Sequence, residues 1–404
     1  MRCWPASRDE VMRRRSFLVG CGCLGLAAAP WCLASDYILP PRFTRPALAS
    51  DEGGLWALMD RMEQKLRHSN FLIRDKALHD YVHGIACRLA GEHCRDIRLY
   101  LVRTPLFNAS MAPNGLMQVS SGLLLRMSNE AQLAAVLGHE IGHYLARHSV
   151  ERLRDAKSRN AFGQFLGLAL AAAGVGNVGA LTQLAVAASG LAYNRDQERD
   201  ADRIGIDLMA RHGYAPVEAS RVWDQLLEEL KAGEAAGEEY WNRSVLFATH
   251  PPAEERRSAL AAAAAARPSS DGSQVGAETY RRMLSAHRGA FLADEIRRRR
   301  FGETMALLDR LLLALPQDGE LQFHRGEAFR MRGGSGDLEK ALEAYQLTRT
   351  MERAPPELFR SLGLVHLQLG HNAEAAAAFG RYLELKPDAE DADLVRTYLP
   401  GSGT

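Results

Sequence analysis

The stretch Leu137-Gly138-His139-Glu140-Ile141-Gly142-His143-Tyr144 constrains this chain more than any other. Around it Leu133, Val136, Leu137, Ile141, Tyr144 and Leu145 recur at helical spacing, so the segment reads as an apolar helix. Residues four apart share one face of a helix, and His139 and His143 therefore project side by side. Two imidazoles so placed can bind one Zn²⁺, with Glu140 beside the ion as the acceptor of a water proton. The competing reading is a buried helix with two satisfied histidines.

A second spacing of four appears downstream, where Glu198 and Asp202 lie in Arg195-Asp196-Gln197-Glu198-Arg199-Asp200-Ala201-Asp202. Catalytic zinc takes three protein ligands and keeps a position for water. Glu198 is the expected third ligand, and Asp202, one turn on, is expected to hold the free ring N–H of a liganding histidine. Alone, this stretch would read as a solvated helix face. The metzincin pattern is excluded, because Ala146 stands at its glycine position and Ser149 at its third histidine. His148, one position early, is expected to be a surface histidine.

His139-Glu140-x-x-His143 followed by Glu198-x-x-x-Asp202 resembles the zinc metallopeptidases related to HtpX and the CAAX prenyl endopeptidases. More closely it is similar to their BepA-type periplasmic branch with C-terminal tetratricopeptide (TPR) repeats. Asp200 departs from the glutamate often found there, at a position that is not a ligand. The resemblance implies a periplasmic zinc endopeptidase with chaperone-like activity in quality control or assembly of envelope and outer-membrane proteins. Its clients would be unfolded or misassembled proteins, and its repeats would dock to outer-membrane assembly machinery. The alternative is a repeat scaffold or chaperone that cleaves little.

Residues 1–34 carry five arginines against one Asp and one Glu, a net +3, so the remainder of a chain with net charge +1 sums to −2. That balance gives no electrostatic case for nucleic acid. Arg13-Arg14-Arg15 followed by the apolar stretch from Phe17 to Ala29 reads as an export signal of twin-arginine appearance, cleaved after Ala34. A lipoprotein at Cys21 and an uncleaved anchor are the alternatives. Of six cysteines, only Cys87 and Cys94 lie beyond that leader. An oxidising compartment would let them pair, the other reading being two buried thiols. Their spacing is not backed by histidines, which argues against a metal role.

Taken in order, 51–92 reads as two helices, and strands are expected at 98–103, 107–111 and 116–120, directly before the His139 helix. Asn108 and Ala109 fall where such peptidases hold an extended substrate, so their backbone is expected to pair with it. Residues 161–193, rich in Ala, Leu, Val and Gly, read either as two buried core helices or as a glycine-hinged lid touching membrane or unfolded substrate. A helix is expected over 212–245. His250 follows, held extended by Pro251 and Pro252. It is expected to be a fourth metal ligand that keeps the site latent, an oxyanion stabiliser, or a structural residue.

Phe359, Leu362, Gly363, His366, Ala375, Phe379, Tyr382 and Pro387 fall at the spacings of a 34-residue tetratricopeptide repeat. Gly326 is the matching glycine one repeat earlier, and Arg281 to Ala314 looks like a degenerate repeat. The expected fold is α+β, a zincin-like (gluzincin) metallopeptidase domain over 35–262, a linker over 263–280 and an all-α repeat domain over 281–404. The expected reaction is peptide-bond hydrolysis with one Zn²⁺ on His139, His143 and Glu198, and Glu140 as base.

Overall fold

A computed structural model of the chain describes residues 37–158, 193–238, 254–267 and 274–399. The leader at 1–34, His250 and all of the 161–193 segment except Tyr193 lie outside the described residues. The architecture is a helical body around a small sheet, continued by helical hairpins, which fits the expected α+β domain followed by an all-α repeat region.

Helix α1 spans Asp51–Arg67 and starts at Ser50, whose hydroxyl accepts from the Gly53 N–H. Its apolar residues Leu55, Leu58, Met59, Met62 and Leu66 follow a three–four spacing and all are buried. Each such side chain contributes about 1.5–3 kcal/mol when fully buried. Helix α2, Lys76–Ala90, is capped by Asp75 and ends at Gly91, whose φ of 57° favours glycine. A 3₁₀ turn over Gly91–Asp96 follows, and a disulfide joins Cys87 to Cys94 across it.

Strands β1 (Arg98–Val102), β2 (Ala109–Met111) and β3 (Leu116–Ser120) form a sheet ordered β1-β3-β2. β1 runs parallel to β3 and β2 antiparallel to it, with Ala109 opposite Val119 and Met111 opposite Met117. The second strand is shorter than expected, because Phe107 and Asn108 belong to its approach. β3 passes through the Ser120 cap into α3 (Ser121–Arg126). Helix α4, Glu130–Leu145, then packs against the sheet and is buried on every side.

Helix α5 (His148–Ser158) follows a turn in which Arg147 adopts φ 59°. Helix α6, Arg195–Arg211, opens with a reciprocal Asn194–Gln197 capping box. The expected helix over 212–245 is broken at Gly213, whose φ is 77°, and resumes after Pro216 as α7 (Val217–Ala235). Helix α8 spans Glu254–Ala265.

Residues 274 and 275 pair with the sheet-containing body: the Gln274 N–H donates to Gly213 O (2.8 Å) and the Ala131 N–H to Val275 O (3.1 Å). Helices α9 (Ala277–Leu284), α10 (Arg288–Arg297) and α11 (Phe301–Ala314) then place Tyr280, Phe291, Leu292, Ile296, Leu307 and Leu308 in the same apolar core as α4. Arg126 seals this junction. It is buried and donates to Glu229 on α7 (2.6 Å) and through two nitrogens to Glu295 on α10 (2.9 and 3.1 Å).

The hairpins α12 (Gly319–Arg332) with α13 (Asp337–Thr348), and α14 (Glu357–Gln368) with α15 (Asn372–Leu385), follow, with α16 (Ala392–Arg396) at the end. Gly326 and Gly363 do equivalent work: a Cβ on the first would meet the Tyr345 ring at 2.3 Å, and on the second the Phe379 ring at 2.5 Å. Among the described residues no helix is long and apolar enough to cross a membrane.

Candidate metal centre

The site is built where α4 crosses α6. Gly138, Gly142 and Gly205 let the two backbones approach closely, since a Cβ on Gly142 would lie 2.9 Å from Ala201 O and one on Gly205 2.9 Å from His139 N. The crossing brings Glu198 to the histidine pair. His139 Nε2 and His143 Nε2 are 3.1 Å apart, and Glu198 places Oε1 3.4 Å from His143 Nε2 and Oε2 3.7 Å from His139 Nε2. Two nitrogens each about 2.05 Å from one tetrahedral zinc lie about 3.3 Å apart. The donor set of two imidazoles and one carboxylate, all buried, therefore fits zinc in kind and in spacing.

Each ligand is oriented from behind. Asp202 Oδ1 lies 2.8 Å from His139 Nδ1, which fixes that ring's tautomer and turns Nε2 to the centre. Arg256 on α8 donates to both oxygens of Asp202 (2.7 and 2.9 Å) and reaches Glu198 Oε2 at 2.6 Å. With Oε2 so engaged, Glu198 has Oε1 for a metal. The guanidinium also stacks over the Trp223 ring at 4.3 Å. His148 is buried, not on the surface as expected, and its Nδ1 lies 2.9 Å from His143 Nδ1. Burial holds the His148 pKa below its usual value, and with His143 Nε2 given to a metal its Nδ1–H would donate to the His148 ring. The Tyr193 ring stacks on His143 at 3.7 Å.

Glu140 points into the same space and is nearly inaccessible. Burial pushes its carboxyl up to about 7, against the pull of His139 and Arg256 and of a hydrogen bond from the Met111 N–H. That value suits a group that takes and returns a proton near neutrality, and a divalent cation alongside would draw it down. Beside Glu140 lies an apolar pocket walled by Phe107, Val136, Met209, Trp223 and Leu260.

Residues 72–264 match the family described as Peptidase family M48, and residues 334–400 match a tetratricopeptide repeat. The chain is 27% identical over 230 residues to a beta-barrel assembly-enhancing protease of Escherichia coli (strain K12), covering 53% of this chain and 45% of that protein. It is 31% identical over 160 residues to the mitochondrial metalloendopeptidase OMA1 of Schizosaccharomyces pombe, covering 39% and 44% of the two chains. It thus spans less than half the length of these curated relatives. Residues 72–264 are a peptidase family M48 domain.

Within the M48 domain the geometry distinguishes the expected substrate-pairing residues. The Asn108 carbonyl accepts from the Ser120 N–H (3.0 Å) and the Leu116 carbonyl from the Ala112 N–H (2.8 Å), so both residues face β3. Alternation then turns the backbone of Ala109 and Met111 to the outer edge of β2. The M48 domain also carries two functional residues that sequence reasoning missed. Arg256 had no motif to mark it, and His148 had been set aside because its spacing fits no ligand series.

Proposed function

We propose that this chain is an exported zinc-dependent endopeptidase of the bacterial envelope, whose clients are misassembled proteins, outer-membrane β-barrel proteins among them. The observation that carries the reading is the convergence of His139, His143 and Glu198 beside Glu140, at the outer edge of β2. Zinc held by those three residues would supply a Lewis acid for the scissile carbonyl and lower the pKa of a water to about 7. Glu140 takes the proton of the attacking water and returns it to the leaving amine. An extended substrate pairs with Ala109, and an apolar side chain next to the scissile bond enters the pocket at Trp223 and Phe107. All three residues of β2 are buried, so an incoming strand has to uncover that edge first, which supports low basal activity.

The envelope assignment is supported by the basic and apolar leader, by the Cys87–Cys94 bond, which suits an oxidising compartment, and by the name of the bacterial relatives. The TPR hairpins support protein docking, with assembly machinery of the outer membrane as the partner. The test uses the chain without its leader: zinc stoichiometry, then casein cleavage beside Glu140→Gln. One zinc per chain and a cleavage rate reduced about 10²–10⁴-fold in the variant are expected. Bound zinc with no Glu140-dependent cleavage of any client would instead favour a scaffold.

A further inference from the structure

The histidines missing from the sequence argument about Cys87 and Cys94 are present in the fold. His83 precedes Cys87 by one helical turn, and its two ring nitrogens lie 3.6 and 3.7 Å from Cys87 Sγ. One donor atom from each of His83, Cys87 and Cys94 falls within a sphere in which all lie no more than 4.8 Å apart. The three side chains are partly exposed, so solutes reach them. The neighbouring histidines are engaged elsewhere: His93 Nε2 faces Pro40 O at 2.9 Å, and His79 Nε2 faces Leu99 O at 3.2 Å while its ring stacks on His83.

We propose that His83, Cys87 and Cys94 form a second zinc site that exists only when the disulfide is reduced. In a tetrahedron with Zn–S of about 2.3 Å and Zn–N of about 2.05 Å, a sulfur and a nitrogen lie about 3.6 Å apart. The His83–Cys87 spacing already has that value, set by helix geometry rather than by the disulfide. The two sulfurs must separate to about 3.7 Å. The turn at Gly91, where the chain leaves α2, is the place where Cys94 can move relative to Cys87.

The exchange balances as follows. A dithiol gives two electrons and two protons to the Cys87–Cys94 bond and itself becomes a disulfide. Zn²⁺ then displaces the two thiol protons and binds two thiolates and the His83 imidazole, with water completing the set. A disulfide oxidant reverses the sequence: it takes the two electrons and two protons to become a dithiol, the Cys87–Cys94 bond re-forms, and the ion is released. The turn that carries Cys94 also carries His93, which packs edge-on against Tyr144 at 5.8 Å, next to His143. The second site is thus linked by packing to the helix of the first.

The test loads the mature protein with Co²⁺ before and after reduction by tris(carboxyethyl)phosphine. A thiolate-to-cobalt charge-transfer band in the near ultraviolet reports the cysteine site alone, because His139, His143 and Glu198 contain no sulfur. Expected is no such band in the oxidised protein, a saturable band after reduction that accompanies one more bound equivalent of Co²⁺ than the oxidised protein holds, and its displacement by Zn²⁺. His83→Ala should weaken this binding beyond the 10–100-fold that loss of a mere supporting residue costs. Glu198→Ala should leave the band intact, which separates this site from the proposed catalytic one. The proposal is overturned if the reduced protein shows no band, if His83→Ala binds as tightly as the unsubstituted chain, or if reduction abolishes the helical circular dichroism.

Discussion

Replacing Arg126 by methionine should cost the fold far more than one surface charge would. The guanidinium is buried between Glu229 on α7 and Glu295 on α10, and its Nη1 also donates to Gly122 O at 3.2 Å. Removing one partner of a buried ion pair costs about 3–5 kcal/mol, because the partner charge stays behind uncompensated. Here each carboxylate keeps a second cation: Arg310 reaches Glu229 at 2.6 Å and Arg298 reaches Glu295 at 2.6 Å. The lower end, about 3 kcal/mol, is therefore expected, or a fall in melting temperature of about 4–5 °C for a body of this size. Burial alone would raise the Glu295 pKa, but Arg126 and Arg298 outweigh it and hold the group below its usual 4.5. A depressed carboxyl contributes stability that is present above the unfolded value and is lost as pH falls from about 4.5 through the lowered one. In the variant the share supplied by Arg126 is already missing and only that of Arg298 remains, so the gap between the two proteins should narrow with acid. Scanning calorimetry between neutral pH and pH 4, in chelator, reads both quantities. A shift below about 2 °C, or a gap independent of pH, would refute the role given to this junction.

Glu198→Ala should abolish stoichiometric zinc binding, while Asp202→Asn should weaken it only about 10–100-fold; retention of full metal and activity by the first variant would remove Glu198 from the ligand set. His148→Ala should weaken zinc by a similar 10–100-fold through the freed His143 ring, measured by competition with a chromogenic chelator, and unchanged affinity would show that the 2.9 Å contact orients nothing. Gly326→Ala should destabilise the α12–α13 hairpin by about 1–3 kcal/mol, since the methyl meets Tyr345, and urea unfolding followed by circular dichroism reads the loss. A midpoint matching the parent protein would mean that the ring gives way freely.

The sequence made legible those parts that repeat at short range. His139, His143, Glu198 and Asp202 could be read because spacings of four mean one helix face, whatever surrounds the helix. β3 was legible at its true limits because Pro113-Asn114-Gly115 opens it and the capping Ser120 closes it. Arg256 was not, because its partners on α6 lie 54 and 58 positions away and no local pattern joins them. His148 misled for a local reason. Arg147 turns the chain into the left-handed region, so α5 does not prolong α4 and His148 is carried back onto His143. The helix over 212–245 failed at Gly213 for the same kind of reason. Over 281–314 the apolar periodicity was visible, but periodicity says that a face is buried and not against what; Phe291 and Ile296 face the peptidase core.

The close crossing of α4 and α6 sets a tolerance on the chemistry. His139 and His143 ride on one helix and Glu198 on the other, so any change in their separation appears undiminished at the ion. A methyl group on Gly205 would sit 2.9 Å from His139 N, and ordinary contact begins at 3.4 Å, which asks the helices to part by about 0.5 Å. Metal–ligand distances hold to within about 0.2 Å. The atoms that Gly205 lacks thus act as a gauge block between the two ligand sets. A single carbon added there would exceed the site's mechanical allowance more than twofold.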